Sequence, residues 1–199
     1  MSIYIPQITR ETSSGFIKDT IQESMFQNHR EILCVGEINA EHINALILQM
    51  RYLHGQSADA EIVMYINSPG GSVSDGLALY DIMQAISCPV RTVCIGTAAS
   101  MGALLFLSGN QRDILPHSKV MLHDPLVSGG IGGSALEVER RAQQLMQTRE
   151  ITARIIAKHT GKTLKKIYEV TKQDSYFNAE EAVAFGLADR IITEMRGGI

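Results

Sequence analysis

Residues 61–86, EIVMYINSPGGSVSDGLALYDIMQAI, change texture twice. The first seven are rich in β-branched and aromatic residues and read as a buried strand. The cluster SPGGS breaks it, and from Val73 apolar residues return at helical intervals. The same unit recurs at 91–109, where RTVCIGT is a strand, AAS a tight turn and MGALLFLSG a helix. Strands alternating with helices across short glycine-containing turns predict an α/β domain whose sheet is largely covered by helices.

Upstream, EILCVGEI (31–38) is a further strand, and EHINALILQMRYLHG (41–55) a helix stopping at Gly55. Downstream, KVMLHD (119–124) is a strand, and VSGGIGG (127–133) a loop free to move or to lie against an extended partner. Ser134 as N-cap with Glu137 three residues on forms a capping box opening a long amphipathic helix over 134–159, with Gly161 as its stop. Its stripe includes Val138, Ala142, Leu145, Ile155 and Ile156. Such a helix either projects onto a second subunit, which predicts an oligomer, or lies in the core; the pattern admits both. A second capping box, Asn178 with Glu181, starts a short helix ending at Gly186, before a last strand, ADRIIT. Residues 1–30 are polar and read as an arm with a short helical pattern near 17–26, and 31–199 as one domain.

The chain has 199 residues, 45% hydrophobic and 20% charged, which suits a single domain with a real core. A net charge of −3 with scattered Lys and Arg lacks the basic footprint of a nucleic-acid binder. No basic-then-apolar leader is present, and no apolar run approaches the roughly 20 residues that span a bilayer, so a cytoplasmic location is expected. Cys34, Cys88 and Cys94 are odd in number and form no C-x-x-C pair, which predicts buried thiols. There is no H-E-x-x-H helix, and TGKT at 160–163 lacks the first glycine of a phosphate loop, where Ile156 stands. Neither a metal nor another cofactor is expected.

Ser100 stands where a strand ends and a helix begins. An unactivated serine needs a base to take its proton and donors to hold a developing oxyanion. The Met101 amide, in the first turn of the helix, has no helical partner and is one such donor. Small neighbours Ala99 and Gly102 permit a tight turn. The competing reading makes Ser100 an ordinary N-cap. Paired glycines in NSPGGSV can turn amides outward, and Gly71 is the second candidate donor, set against a plain Gly-Gly turn. His123, at the end of a strand and before the Asp124-Pro125 break, is the candidate base or else a structural histidine; the other five look like surface or capping residues. For a carboxylate to hold the imidazole, Asp124 is nearest in sequence but alternates to the other face, and Asp174 in the polar turn KQDSYFNAEE is the alternative. Spacing does not choose between them.

INSPGGSV, GTAASMGA, LPHSKVMLHDPL, HTGKTLKKI and FNAEEAVAFGLADRI, in this order across about 31–192, resemble the proteolytic subunit of the Clp protease. The resemblance implies Ser100 as nucleophile, His123 as base, Asp174 as orienting acid, and the amides of Gly71 and Met101 as oxyanion hole. It implies a superhelix of strand-turn-helix units related to the crotonases, with the helix from Ser134 as a projecting handle joining two heptameric rings around a chamber. It further implies a Clp-type AAA+ unfoldase (ClpX, ClpA or ClpC) as partner, which consumes the ATP, unfolded polypeptide as substrate, and backbone pairing of that substrate with a glycine-rich strand after His123.

The chain departs from the family pattern at several points. Asp124 replaces a common glutamine, and the segment between Ser100 and His123 is slightly short. Lys172 and Gln173 replace an acidic-arginine pair that helps couple the rings to the active sites. In the unfoldase-docking pocket Val63 replaces an aromatic residue, while Tyr65 matches. These departures suggest a second isoform that assembles with a more typical partner. IPQITRET resembles the start of a mature chain, leaving residues 1–4 as a vestigial propeptide. Two further readings stand beside a serine peptidase: a scaffolding or conditionally active subunit, and a crotonase-type acyl-CoA enzyme, since SPGG and AEEAVAFGLAD are similar to that superfamily.

Overall fold

The computed structural model describes residues 7–13, 15–127, 129–130 and 132–195. The expected vestigial propeptide, residues 1–4, lies outside them. The arm is not irregular: β1 (Gln7–Thr12) and β2 (Gly15–Thr20) form an antiparallel hairpin, so Ile17 is a strand residue and α1 begins later, at Ile21–His29. Thr20 and Glu23 form its capping box.

β3 (Glu31–Ile38) leads into α2 (Ala40–Gln56), which runs through Gly55 to a cap at Ser57. The expected stop at Gly55 fails because that glycine keeps a helical backbone, and the helix face carrying the buried Met50 and Leu53 is still packed there. β4 (Ile62–Gly71) continues through the SPGG breaker, since Gly70 and Gly71 pair with Glu37 and Ile38 of β3. Then follow α3 (Val73–Ala85), β5 (Val90–Ala99) and α4 (Met101–Leu107). Ala98 and Ala99 belong to the strand, leaving Ser100 alone as the turn.

The second half contains β6 (Gln111–Ile114), β7 (Lys119–Leu122), α5 (Ala135–Thr160), α6 (Leu164–Thr171), β8 (Ser175–Asn178), α7 (Ala179–Phe185) and β9 (Arg190–Ile191). β6, α6 and β8 are absent from the sequence reading. Both capping boxes form as expected, at Ser134/Glu137 and Asn178/Glu181, and Gly161 and Gly186 close their helices in the left-handed conformation.

β3, β4, β5, β6 and β9 form a parallel ladder in that order. The sheet forks at β5: residues 91–94 pair with β6, and residues 97–99 pair with β7, which in turn pairs antiparallel with β8. Two ladders with one strand in common place the end of β5 and the end of β7 side by side. Helices cover the sheet around a core that includes Met50, Leu53, Ile62, Met64, Ile66, Leu79, Leu105 and Phe106. Every residue of α4 is buried, as an all-apolar helix must be. The mixed α/β architecture is the one the sequence predicts, and its sheet is mostly parallel.

α5 divides along its length. Its buried residues, Thr152, Ala153 and Ile156, lie in the C-terminal part, whereas Leu136 is 77% and Met146 58% exposed. Of the two readings of this helix, the C-terminal part follows the core one and the rest extends beyond the core. Cys34, Cys88 and Cys94 are free and buried, and burial pushes the Cys34 thiol up to about 12. His159 is half-buried rather than a surface residue, with Nε2 3.1 Å from the Tyr80 hydroxyl. Among the described residues of 123–134 there is no strand; Ser128 and Ile131 lie outside them. No helix among the described residues is long and apolar enough to cross a membrane.

Candidate active site

The junction at Ser100 is conformationally costly. Its φ of 54° and ψ of −121° place a non-glycine residue in a region that typically costs 1–3 kcal/mol. Backbone bonds hold it there: the Ser100 amide donates to Met121 O at 2.9 Å, and its carbonyl accepts from the amides of Ala103 at 3.0 Å and Leu104 at 3.3 Å. The side chain makes no capping hydrogen bond. Ser100 therefore does not serve as the side-chain N-cap; its Oγ lies 2.7 Å from His123 Nε2.

His123 is the first residue past the end of β7. That strand lies between β5 and β8, with Ala99 opposite Met121 on one side and Ser175 opposite Leu122 on the other. The first register puts the imidazole beside Ser100, and the second puts it beside Asp174, whose Oδ1 is 3.3 Å from His123 Nδ1. The imidazole is 17% exposed and the Asp174 carboxylate 60%. Asp124 points elsewhere, as strand alternation predicts: its Oδ2 accepts from Arg149 Nε at 2.5 Å. The structure thus brings Ser100, His123 and Asp174 into one line and leaves Asp124 out of it.

The NSPGG segment is shaped by two side chains. Asn67 Oδ1 accepts from the Thr97 amide at 3.0 Å, beside the register shift between β4 and β5. Ser68 Oγ donates to Gly36 O at 2.6 Å and accepts from the Gly70 amide at 3.1 Å, at the corresponding shift between β3 and β4. Gly70 has φ 95°, and a Cβ there would lie 2.7 Å from Ser100 Cβ and 3.1 Å from Met101 N. Gly71 has φ 147°, with no room for a Cβ against Ile38 O at 2.2 Å. The two segments expected to supply donors are therefore in contact, and the Met101 amide sits in the first turn of α4, where no helical acceptor exists.

A cleft of about 660 Å³ runs past this point, lined by Gly71, Ser100, His123, Leu126 and, from α5, Leu145 and Thr148. A recess of about 20 Å³ beside Ser100 is lined by Val73, Met101, Leu104, Pro125 and Thr152. Val63 and Tyr65 share one face of β4, away from the cleft. Val63 is half-buried; Tyr65 is 7% exposed and donates its hydroxyl to Glu31 Oε1 at 3.0 Å.

Comparison with known proteins matches residues 15–195 to the family model described as Clp protease. A relative from Cutibacterium acnes, the ATP-dependent Clp protease proteolytic subunit 2, is 41% identical over 192 residues, covering 94% of this chain and 89% of the relative. The chain belongs to the Clp protease family. As a member it is a serine endopeptidase, a hydrolase, with the fold of that family. Within this Clp protease chain, sequence reasoning missed Asn67, Ser68 and Gly70 as shapers of the site. A signal for them existed in the polar pair ahead of Pro69, since Asn and Ser side chains commonly bond nearby backbone.

Proposed function

We propose that this Clp protease family chain hydrolyses peptide bonds of unfolded polypeptides through a covalent intermediate on Ser100. The observation that carries the reading is the unbroken line Ser100 Oγ to His123 Nε2, 2.7 Å, and His123 Nδ1 to Asp174 Oδ1, 3.3 Å. His123 takes the Ser100 proton as Oγ attacks the scissile carbonyl. Asp174 holds the other ring nitrogen and stabilises the imidazolium. The oxyanion is received by the amides of Gly71 and Met101. His123 then returns the proton to the leaving amine, and water enters by the reverse sequence to release the acyl group. The strained Ser100 backbone supports the assignment, because such strain persists where surrounding structure over-determines it, often at active sites.

Family membership implies assembly into rings with a Clp ATPase. The finer arrangement we propose is two stacked heptameric rings around an enclosed cytoplasmic chamber, fed by an AAA+ unfoldase that consumes the ATP, with docking at Val63 and Tyr65. The exposed N-terminal part of α5, the expected handle, supports a subunit contact there. A second reading, activity conditional on another Clp proteolytic subunit, is favoured by one observation: the Asp174 carboxylate is 60% exposed, with Lys172 and Gln173 ahead of it rather than an acidic-arginine pair. The relative's designation as subunit 2 agrees with an isoform. A fluorophosphonate probe applied to the purified particle, with native mass measurement and a peptidase assay, tests both. Ser100 labelling and cleavage in a homomeric tetradecamer support the first reading and exclude the second; labelling that survives Ser100→Ala overturns the assignment.

A further inference from the structure

The strand end that carries His123 is tied from behind. Asp124 turns away from the cleft, and each of its oxygens is engaged: Oδ2 accepts from Arg149 Nε at 2.5 Å and Oδ1 from Thr171 Oγ1 at 2.5 Å. The Asp124 amide also donates to Thr171 O at 2.6 Å. Arg149 belongs to α5, and its guanidinium lies over the Tyr168 ring of α6, 4.2 Å from the centroid. Thr171 is the last residue of α6, 3% exposed, and only three residues before Asp174. One carboxylate therefore joins the residue after His123, the segment leading to Asp174, and the long helix. α5 also reaches the nucleophile: Thr152 lines the recess beside Ser100, and its hydroxyl donates to Arg149 O at 3.1 Å.

We infer that Asp124 and Arg149, with Thr171, are positioning residues that set the His123 Nε2 to Ser100 Oγ distance and make it depend on how α5 is seated. The inference rests on the Ser100–His123–Asp174 reading above. His123 is held on its strand side by the β7 pairings, but the chain leaves β7 at Leu122, and beyond it the next fixed point is Asp124. Loss of the charged pair removes the side-chain part of that anchor, while the Asp124 amide bond to Thr171 O survives any side-chain change there and keeps the segment in place, so that only the finer setting of the imidazole is loosened. A small shift of the imidazole slows proton transfer without removing substrate contacts, so the effect falls on kcat.

The test compares wild type, Asp124→Asn, Arg149→Gln, the double variant and Arg149→Lys in the assembled particle, reading kcat and KM on a fluorogenic peptide and the fluorophosphonate labelling rate, with native mass on each. Each single variant is expected to lose roughly 10- to 100-fold in kcat and labelling rate, the range for a misplaced reacting group, with KM within about twofold. The double variant should lose no more than the worse single one, because the two act through one bond. Arg149→Lys, which keeps the charge but not the planar fork, should recover part of the loss. Unchanged kcat in both single variants, additive losses in the double, or a loss confined to KM overturns the inference. Should Asp124→Asn fail to assemble, Thr171→Val and Arg149→Lys carry the same comparison. Failure of the wild type to label at Ser100, both alone and assembled with a second Clp proteolytic subunit, overturns the triad reading and this inference with it; a labelled wild type with indifferent variants overturns this inference alone.

Discussion

Leu122 stands opposite Ser175 across the antiparallel β7–β8 ladder, so the residues that extend the two strands, His123 and Asp174, form the next pair outward and meet at 3.3 Å. The line from Ser100 through His123 to Asp174 is thus a consequence of strand register rather than of a loop folding over. Asp174→Asn keeps that register and removes the charge that stabilises the imidazolium, and it also favours the wrong imidazole tautomer. Peptidase kcat and the Ser100 labelling rate are expected to fall by up to about 10⁴-fold, with little change in KM. The 60% exposure of the carboxylate lets water share its role, so the loss should lie below that limit. Stopped-time labelling of wild type and variant measures it; equal rates would remove Asp174 from the mechanism.

Gly70 is a steric requirement of the site. At φ 95° its absent side chain leaves room for Ala99 O and Ser100 Cβ, each 2.7 Å from where a Cβ would sit. Gly70→Ala must either move the Ser100 turn or open the β3–β4 ladder, and a non-glycine residue in this conformation costs about 1–3 kcal/mol before any clash. Gly129 supplies the control, with a similar φ of 88° but open space around it. Gly70→Ala is expected to abolish labelling and lower the unfolding midpoint, and Gly129→Ala to retain labelling. Gly71→Pro is a poor probe of a single oxyanion donor, since proline is fixed near −65° and φ here is 147°. It would disrupt the end of the β3–β4 ladder, where Gly71 pairs with Ile38.

What the sequence disclosed follows the range over which each feature is decided. The units at 61–86 and 91–109 are legible because a strand and a helix of ten or more residues, or an all-apolar helix, carry their own periodicity. The Ser134/Glu137 and Asn178/Glu181 boxes are legible because capping is settled within four residues. β6 escapes notice because QRDI is short and charged, and its Asp113 is buried only because Arg91 and Arg190 arrive from β5 and β9. β8 exists through pairing with β7 alone. The same limit governs the site. Ser100 is visible as a strand-to-helix junction, but Asp174 and Asp124 cannot be told apart locally, because the choice is made by the β7–β8 register and by Arg149, 25 residues from Asp124. Only resemblance to a family separates them before the fold is known.

Acidification should weaken the fold through His159. Burial, and then the charges of Lys158 and Arg112, push this imidazole down from 6.5 to about 4. The folded value lies below the unfolded one, so the unfolded chain takes up the proton first. The contribution to stability is fully present above about pH 6.5 and is lost as pH falls toward about 4. His159→Gln cannot be protonated and retains a partner for the Tyr80 hydroxyl. Urea unfolding at pH 7.5, 5.5 and 4.5 should show a shallower decline for the variant than for wild type; parallel declines would locate the acid sensitivity elsewhere.

Asp113 fixes the β6 edge of the sheet by charge. Its carboxylate is fully buried, with Arg91 Nη2 at 2.5 Å, Arg190 Nε at 2.9 Å and Gln111 Nε2 at 3.0 Å. Burial by itself raises the carboxyl, but the hydrogen bonds from Arg190, Gln111 and Arg91 outweigh it and hold the group below the usual carboxylate range. The stabilisation is therefore fully present above the ordinary value of 3.8 and is lost progressively as pH falls from there through the lowered value. Arg91 is only 7% exposed, so Asp113→Ala strands a buried guanidinium and is expected to cost about 3–5 kcal/mol. Arg190 is 48% exposed on its side chain, and Arg190→Ala should cost far less than Asp113→Ala, as expected of a surface pair. Replacing Arg91 and Asp113 together by apolar residues of similar volume should recover most of the single-variant loss, because no charge is then left unpaired. Unfolding free energies in urea decide the matter: a cost for Asp113→Ala as small as that for Arg190→Ala would mean that the Arg91 guanidinium is not left uncompensated when the carboxylate is removed.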